Sequence, residues 1–164
     1  MPKFYYSIKQ LIAMEMLRDI YLDTNMVLPY FVNLTQNRPQ PKVFNYLYNV
    51  KKRFHYFVSN LTKVEVFRKL HSEHNTDEKE CYQLWNLFKE ALSITELEME
   101  EVYLEEMAKL VAQQPSTRGM IINIIHLLFA KHNNLIVLTG DKPLKDRFKV
   151  FYNNVLDYDE FKKL

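Results

Sequence analysis

Glycine is nearly absent, with 2 in 164 residues. That scarcity excludes a glycine-rich phosphate loop and the glycine fingerprint of a dinucleotide fold. Cysteine is rarer still. The lone Cys81 rules out an internal disulfide and a zinc site built from several thiolates, and it fits a reducing interior. No apolar run approaches the ~20 residues needed to span a bilayer. Lys9, Glu15, Arg18 and Asp19 interrupt the N-terminus, so it lacks the apolar core of a signal peptide. The expectation is a cytoplasmic protein with no membrane partner. Net charge is small too, at +2. The charges are nevertheless segregated. Glu96, Glu98, Glu100, Glu101, Glu105 and Glu106 crowd one segment, while Lys51-Lys52-Arg53, Arg68-Lys69 and the series Lys142, Lys145, Arg147, Lys149 form basic clusters. Such clusters are ordinarily solvated helix faces, but basic residues beside an acidic site can also hold a polyanion.

What is present is a globular composition, 48% hydrophobic and 14% aromatic. The length fits one domain with a full-sized core. We expect residues 1–164 to form that single domain, with 1–18 an extra N-terminal helix and 156–164 a C-terminal tail. Apolar spacing predicts a helix over 7–18, a strand over 20–23, a loop over 33–41 and a helix over 43–50. A strand over 56–58 follows, then a helix over 61–71 with Leu61, Val64, Phe67 and Leu70 inward. The next helix is capped by Thr76 or Asp77 and buries Cys81, Leu84, Trp85 and Phe88. A short strand is expected over 91–95, and an acidic helix over 98–113 packed through Val102, Met107, Leu110 and Val111. The helix over 117–132 is apolar nearly all round and should be buried. Strands over 135–138 and 149–152 flank a short basic helix. Alternating strands and helices imply a three-layer α/β/α fold with a mainly parallel sheet.

Two apolar runs end abruptly in polar residues: Ile20-Tyr21-Leu22 in Asp23-Thr24-Asn25, and Leu135-Ile136-Val137-Leu138 in Thr139-Gly140-Asp141. Ligands of open parallel sheets gather beyond the carboxyl ends of the strands. Two acids delivered to one sheet edge therefore suggest a shared site, and acidic sites hold hard cations. Each Asp alone is also an ordinary helix cap or turn residue. Glu65 lies one turn into a helix that starts at the same edge, although a surface role is the usual fate of a glutamate. Asn123 is a lone amide inside a bulky apolar run, on one side of its helix with His126 and Ala130. A buried amide needs partners, from neighbouring backbone or from a cavity.

Together, Leu22-Asp23-Thr24-Asn25, the run Val58-Ser59-Asn60-Leu61-Thr62-Lys63-Val64-Glu65, the run from Asn123 to Ala130, and Leu138-Thr139-Gly140-Asp141-Lys142 resemble the successive motifs of PIN-domain ribonucleases. The family includes the toxins of toxin–antitoxin pairs. The resemblance implies cleavage of RNA with Mg²⁺ or Mn²⁺, leaving a 5′-phosphate and a 3′-hydroxyl. It makes Asp23, Glu65 and Asp141 the metal carboxylates, with Thr139 a polar neighbour. It also implies an antitoxin partner and a homodimer. Lys63, Arg118 and Lys142 are candidates to contact substrate phosphates, and Asn25 to orient Asp23. The family usually has Asp where this chain has Asn123, and loss of that charge should weaken cation affinity.

Other readings fit less well. A degenerate domain binding RNA or protein as a scaffold keeps the fold and drops the chemistry. An aspartate-nucleophile phosphatase would want a second acid where Asn25 stands, and a receiver domain would want paired acids before Asp23. The His71–His74 pair has no convincing third metal ligand.

Overall fold

The computed structural model describes residues 17–113, 120–147 and 151–164. In chain order the elements are β1 (Arg18–Leu22), α1 (Thr24–Thr35), α2 (Lys42–Val50), β2 (Phe54–Ser59), α3 (Asn60–His74), α4 (Glu78–Leu92) and β3 (Thr95–Leu97). There follow α5 (Glu101–Gln113), α6 (Ile121–His132), β4 (Ile136–Leu138), α7 (Lys142–Arg147), β5 (Val155–Leu156) and α8 (Tyr158–Phe161). The five strands form one sheet in the order β3-β2-β1-β4-β5, and every pairing is parallel. This is the three-layer α/β/α architecture expected from the alternation of strands and helices.

Burial explains the layers. Side chains alternate across a strand, so Ile20 and Leu22 enter one core while Tyr21 enters the other. The first core gathers Phe31, Phe44, Trp85, Phe88 and Phe161 on one face. The second gathers Tyr103, Phe129 and the buried run Ile124 to Ala130 of α6 on the opposite face. Full burial of each large apolar side chain stabilises the fold by about 1.5–3 kcal/mol. No helix among the described residues is long and apolar enough to cross a membrane.

Several elements differ from their predicted limits. Arg18 opens β1 and is not the end of a helix; residues 7–16 of the expected N-terminal helix lie outside the described residues. Asn33 to Thr35 extend α1, and the loop begins at Gln36. Ala91 and Leu92 finish α4, so β3 starts only at Thr95; Ser93, in the left-handed conformation, makes the break. The inward set of α3 is Thr62, Val66 and Leu70, whereas Val64 is 62% exposed. On α5, Tyr103 is buried and Val102 is 42% exposed. Both errors are shifts of one or two positions around a helix, which apolar periodicity alone resolves poorly where polar and apolar residues are interleaved. Of the strand expected over 149–152, residues 149–150 lie outside the described residues, Phe151 and Tyr152 lie in a turn and in irregular chain, and the fifth strand is Val155–Leu156. The end of the chain is anchored: α8 carries a capping box between Asp157 and Glu160, and Phe161 is buried against Phe54 at 4.9 Å between ring centroids.

Candidate active site

The sheet runs outward from β1 in both directions, through β2 and β3 on one side and β4 and β5 on the other. Between β1 and β4 the strand order reverses, and a crevice opens at such a switch point. Asp23 and Thr139 leave the carboxyl ends of these two strands. Their backbones remain joined, since Asp23 N donates to the Leu138 carbonyl at 3.1 Å.

Asp23 is the N-cap of α1 and is buried. Its Oδ1 accepts from the Thr24 amide at 2.7 Å. Its Oδ2 accepts from Asn25 Nδ2 and from the Thr139 hydroxyl, both at 2.6 Å. Asn25, the residue expected to orient Asp23, is thus hydrogen-bonded to it directly. The same amide ties the two loops together, because Gly140 N donates to Asn25 Oδ1 at 2.7 Å. A Cβ at residue 140 would lie 3.3 Å from that oxygen, tighter than ordinary van der Waals contact, so one of the two glycines sits where the loop passes closest.

Glu65 is delivered by the second turn of α3. Its Oε2 accepts from the Thr24 hydroxyl and from His126 Nε2, the latter at 2.8 Å. Burial works to raise its pKa, but the bonds from His126 and Thr24 and the charge of Arg68 outweigh this and hold the carboxyl below the usual glutamate value. His126, 1% exposed, lies 4.0 Å from Asp23 Oδ1. Its other ring nitrogen, Nδ1, lies 2.6 Å from the Tyr21 hydroxyl, which donates to Ser59 Oγ at 2.8 Å. Burial pushes the Tyr21 phenol far above its ordinary pKa, so this hydroxyl remains a neutral hydrogen-bonding group.

A cavity of about 260 Å³ is lined by Asp23, Asn25, Glu65, Asn123 and His126, with Arg68 and Lys69 at its margin. The expected Asp23, Glu65 and Asn123 thus meet. Asp141 does not line this cavity; it is reached through Asn123, whose Nδ2 donates to Asp141 Oδ2 over a long 3.5 Å. Asp141 Oδ1 also caps α7 through the Leu144 amide at 3.3 Å. Asp141 and Lys142 line a neighbouring cleft with Thr139 and Lys145. Lys63 lies elsewhere, paired with Glu96 at 3.1 Å, and Arg118 falls outside the described residues. Sequence reasoning missed Thr24, and it named Arg68 and Lys69 as a basic cluster without placing them at this cavity. The last two had a signal, because they stand three and four positions after Glu65 and share its helix face. Thr24 had none beyond its neighbour.

Among the described residues, no three His, Cys, Asp or Glu side chains form a group able to hold a metal ion. Mg²⁺, however, commonly takes one or two carboxylates and completes its shell with water and phosphate oxygens. Asp23 and Glu65 supply that number in one cavity. Both hydrogen bonds of Glu65 fall on Oε2, and Oδ1 of Asp23 accepts only one. The donor set is hard oxygen throughout, and it fits such an ion.

A parallel sheet covered by helices, with acidic residues where its strand order reverses, defines a class of α/β/α domains that act at the carboxyl edge of the sheet. Within that class the chain belongs to the PIN-domain family, whose model matches residues 20–148. Its fold is similar to VapBC2 from Rickettsia felis, solved bound to a DNA fragment from their promoter, with a TM-score of 0.54 and 16% identity over 85% of this chain and 98% of that one. It is equally similar to PAE2754 from Pyrobaculum aerophilum, with a TM-score of 0.54 and 17% identity over 89% and 93% of the two chains. No curated protein matches the sequence.

Proposed function

We propose that this chain is a divalent-metal-dependent endoribonuclease of PIN type, using Mg²⁺ or Mn²⁺ and weakened by Asn123. The observation that carries the reading is the meeting of Asp23, Glu65 and Asn123 in one cavity at the switch point of the sheet. A bound divalent ion would supply the positive charge that lets an anionic phosphodiester approach carboxylates, and would lower the pKa of water there. The chain's own residues do the rest. Thr24, Asn25 and Thr139 fix the Asp23 carboxylate. His126 and Thr24 hold Glu65 ionised and aimed. Arg68 and Lys69 border the cavity and offer cationic contacts for phosphates.

One observation favours a second reading, an RNA- or protein-binding scaffold. The amide of Asn123 reaches Asp141 as a neutral donor where a carboxylate would repel it, so this corner of the site holds together without a cation. The family and the likeness to VapBC2 also support a protein partner of antitoxin type.

The deciding experiment is RNA cleavage with Mn²⁺ by this chain and by Asn123→Asp. The nuclease reading expects weak cleavage as given and a gain of roughly 10- to 100-fold with Asp, the range typical for restoring a metal-site group. Asp23→Asn in the restored background should abolish it. Two folded proteins with no cleavage in either would leave the scaffold.

A further inference from the structure

We infer that the groove between α3 and α4 is a binding subsite for the flank of a single-stranded RNA whose scissile phosphate lies at the carboxylate cavity; this rests on the nuclease reading above. The groove encloses about 600 Å³, and its lining includes Val64, Phe67, Tyr82, Lys63, Arg68 and His71. The sequence pattern places Val64 in the core, yet it stands 62% exposed on this groove, whose lining also includes Tyr82 of α4 at 46%. Tyr82 is braced: its ring meets Phe67 edge-on at 5.0 Å and 89°, and Lys63 Nζ lies 5.5 Å from its centroid. Braced, partly exposed aromatic rings are what unstacked bases pack against, and they do so with little regard to base identity.

Charge and continuity select the occupant. Lys63 and Lys89 both bond to Glu96 at 3.1 Å, so two ammonium groups oppose one carboxylate beside the groove. Glu78 is the one carboxylate in its lining. Arg68 lines both this groove and the carboxylate cavity, where its charge acts on Glu65. A strand held by its phosphate at Asp23 and Glu65 can therefore leave over the α3 ridge past one guanidinium, which suits a backbone phosphate, and place its next bases on Val64, Phe67 and Tyr82. An acidic peptide would satisfy the cations, but nothing would tie it to the carboxylate cavity, which repels it.

The test compares a fluorescent oligouridylate of about 12 nucleotides with one of about 4, lengths that respectively reach and do not reach a second site of this kind. Binding is read by anisotropy and cleavage with Mn²⁺, for the chain itself, Tyr82→Ala, Tyr82→Phe and Arg68→Gln. Tyr82→Ala should weaken binding of the long strand about 5- to 100-fold and leave the short one unchanged, while Tyr82→Phe should retain most of the affinity. Arg68→Gln should weaken both lengths. Ultraviolet crosslinking should attach the long strand to Tyr82. Unchanged affinity of Tyr82→Ala for the long strand relative to the parent chain, with cleavage intact, overturns the subsite and spares the nuclease reading. Length-dependent binding through Tyr82 without any cleavage, even in Asn123→Asp, upholds the subsite and sinks the nuclease. If Tyr82→Ala instead dissociates a dimer in sedimentation, a second copy covers the groove and the inference fails.

Discussion

Replacing Asn123 by Asp converts a hydrogen bond into a repulsion. The amide now donates to Asp141 Oδ2 at 3.5 Å. A carboxylate there would put two negative charges at about that separation, on two half-buried residues. Coulomb's law gives about 1 kcal/mol at the dielectric constant of water and about 5 kcal/mol at an effective value near 20. Proton uptake by one partner limits the upper end, so a loss of about 1–4 kcal/mol is expected at neutral pH without metal. For a chain of this size each kcal/mol moves the melting temperature by roughly 2–4 °C. A divalent ion binding only the folded state at about 100 times its Kd returns about 2.7 kcal/mol. Scanning calorimetry in chelator and in Mn²⁺ therefore separates the proteins twice: the Asp variant should melt several degrees lower in chelator and should gain more from Mn²⁺ than the parent. Equal melting in chelator, or equal gains from Mn²⁺, would refute the claim that residues 123 and 141 belong to one electrostatic site.

Three other outcomes follow from the same geometry. Tyr21→Phe removes the hydroxyl between His126 Nδ1 and Ser59 Oγ, all three residues being buried; leaving such a group unpaired costs about 1–3 kcal/mol, readable by urea denaturation, and an unchanged midpoint would show that the network carries no weight. Phe161→Ala should cost about 3–5 kcal/mol by the same measurement, because Phe161 is 1% exposed in the first core, whereas a loosely attached terminus would lose almost nothing. Glu65, Glu96 and Glu106 each have a folded pKa below the ordinary 4.5. In each case burial, which raises it, is outweighed by bonds from histidine, lysine or tryptophan. Stabilisation from depressed carboxyls is present above the unfolded value and lost as pH falls through the folded ones. Melting temperatures should hold from neutral pH to about 5 and then drop, and Glu96→Gln should flatten that drop; a Gln variant with the same acid profile would remove Glu96 from the account.

The alternation of strands and helices was enough to reach the three layers and the parallel sheet, because the three central strands, β2, β1 and β4, carry compact apolar runs bounded by polar residues. Asp23, Glu65 and Asn123 were legible for a related reason: an unlike residue stands out at the end of an apolar strand or within an apolar helix. Phase around amphipathic helices was less legible. Val64 sits between Lys63 and Glu65, and nothing local says which face of α3 turns inward once α4 packs against it. The terminal strand and helix were hidden because β5 has two residues and α8 four, too short for any period to show; their burial comes from the partners they meet. Thr24 and Tyr21 entered the site through contacts with residues 41 and 105 positions away, a kind of information that only the folded chain holds.

The Asn25 clasp across the switch point has a consequence for judging such domains. Its amide grips Asp23 with one end and the backbone of Gly140 with the other, and Thr139 completes the knot. These contacts close two loops whether or not any phosphodiester is ever cut. A protein that had given up catalysis would still unravel there without them. Intact Asn25 and Thr139 are thus witnesses to architecture, and the charge carried at positions 65 and 123 is the better witness to chemistry.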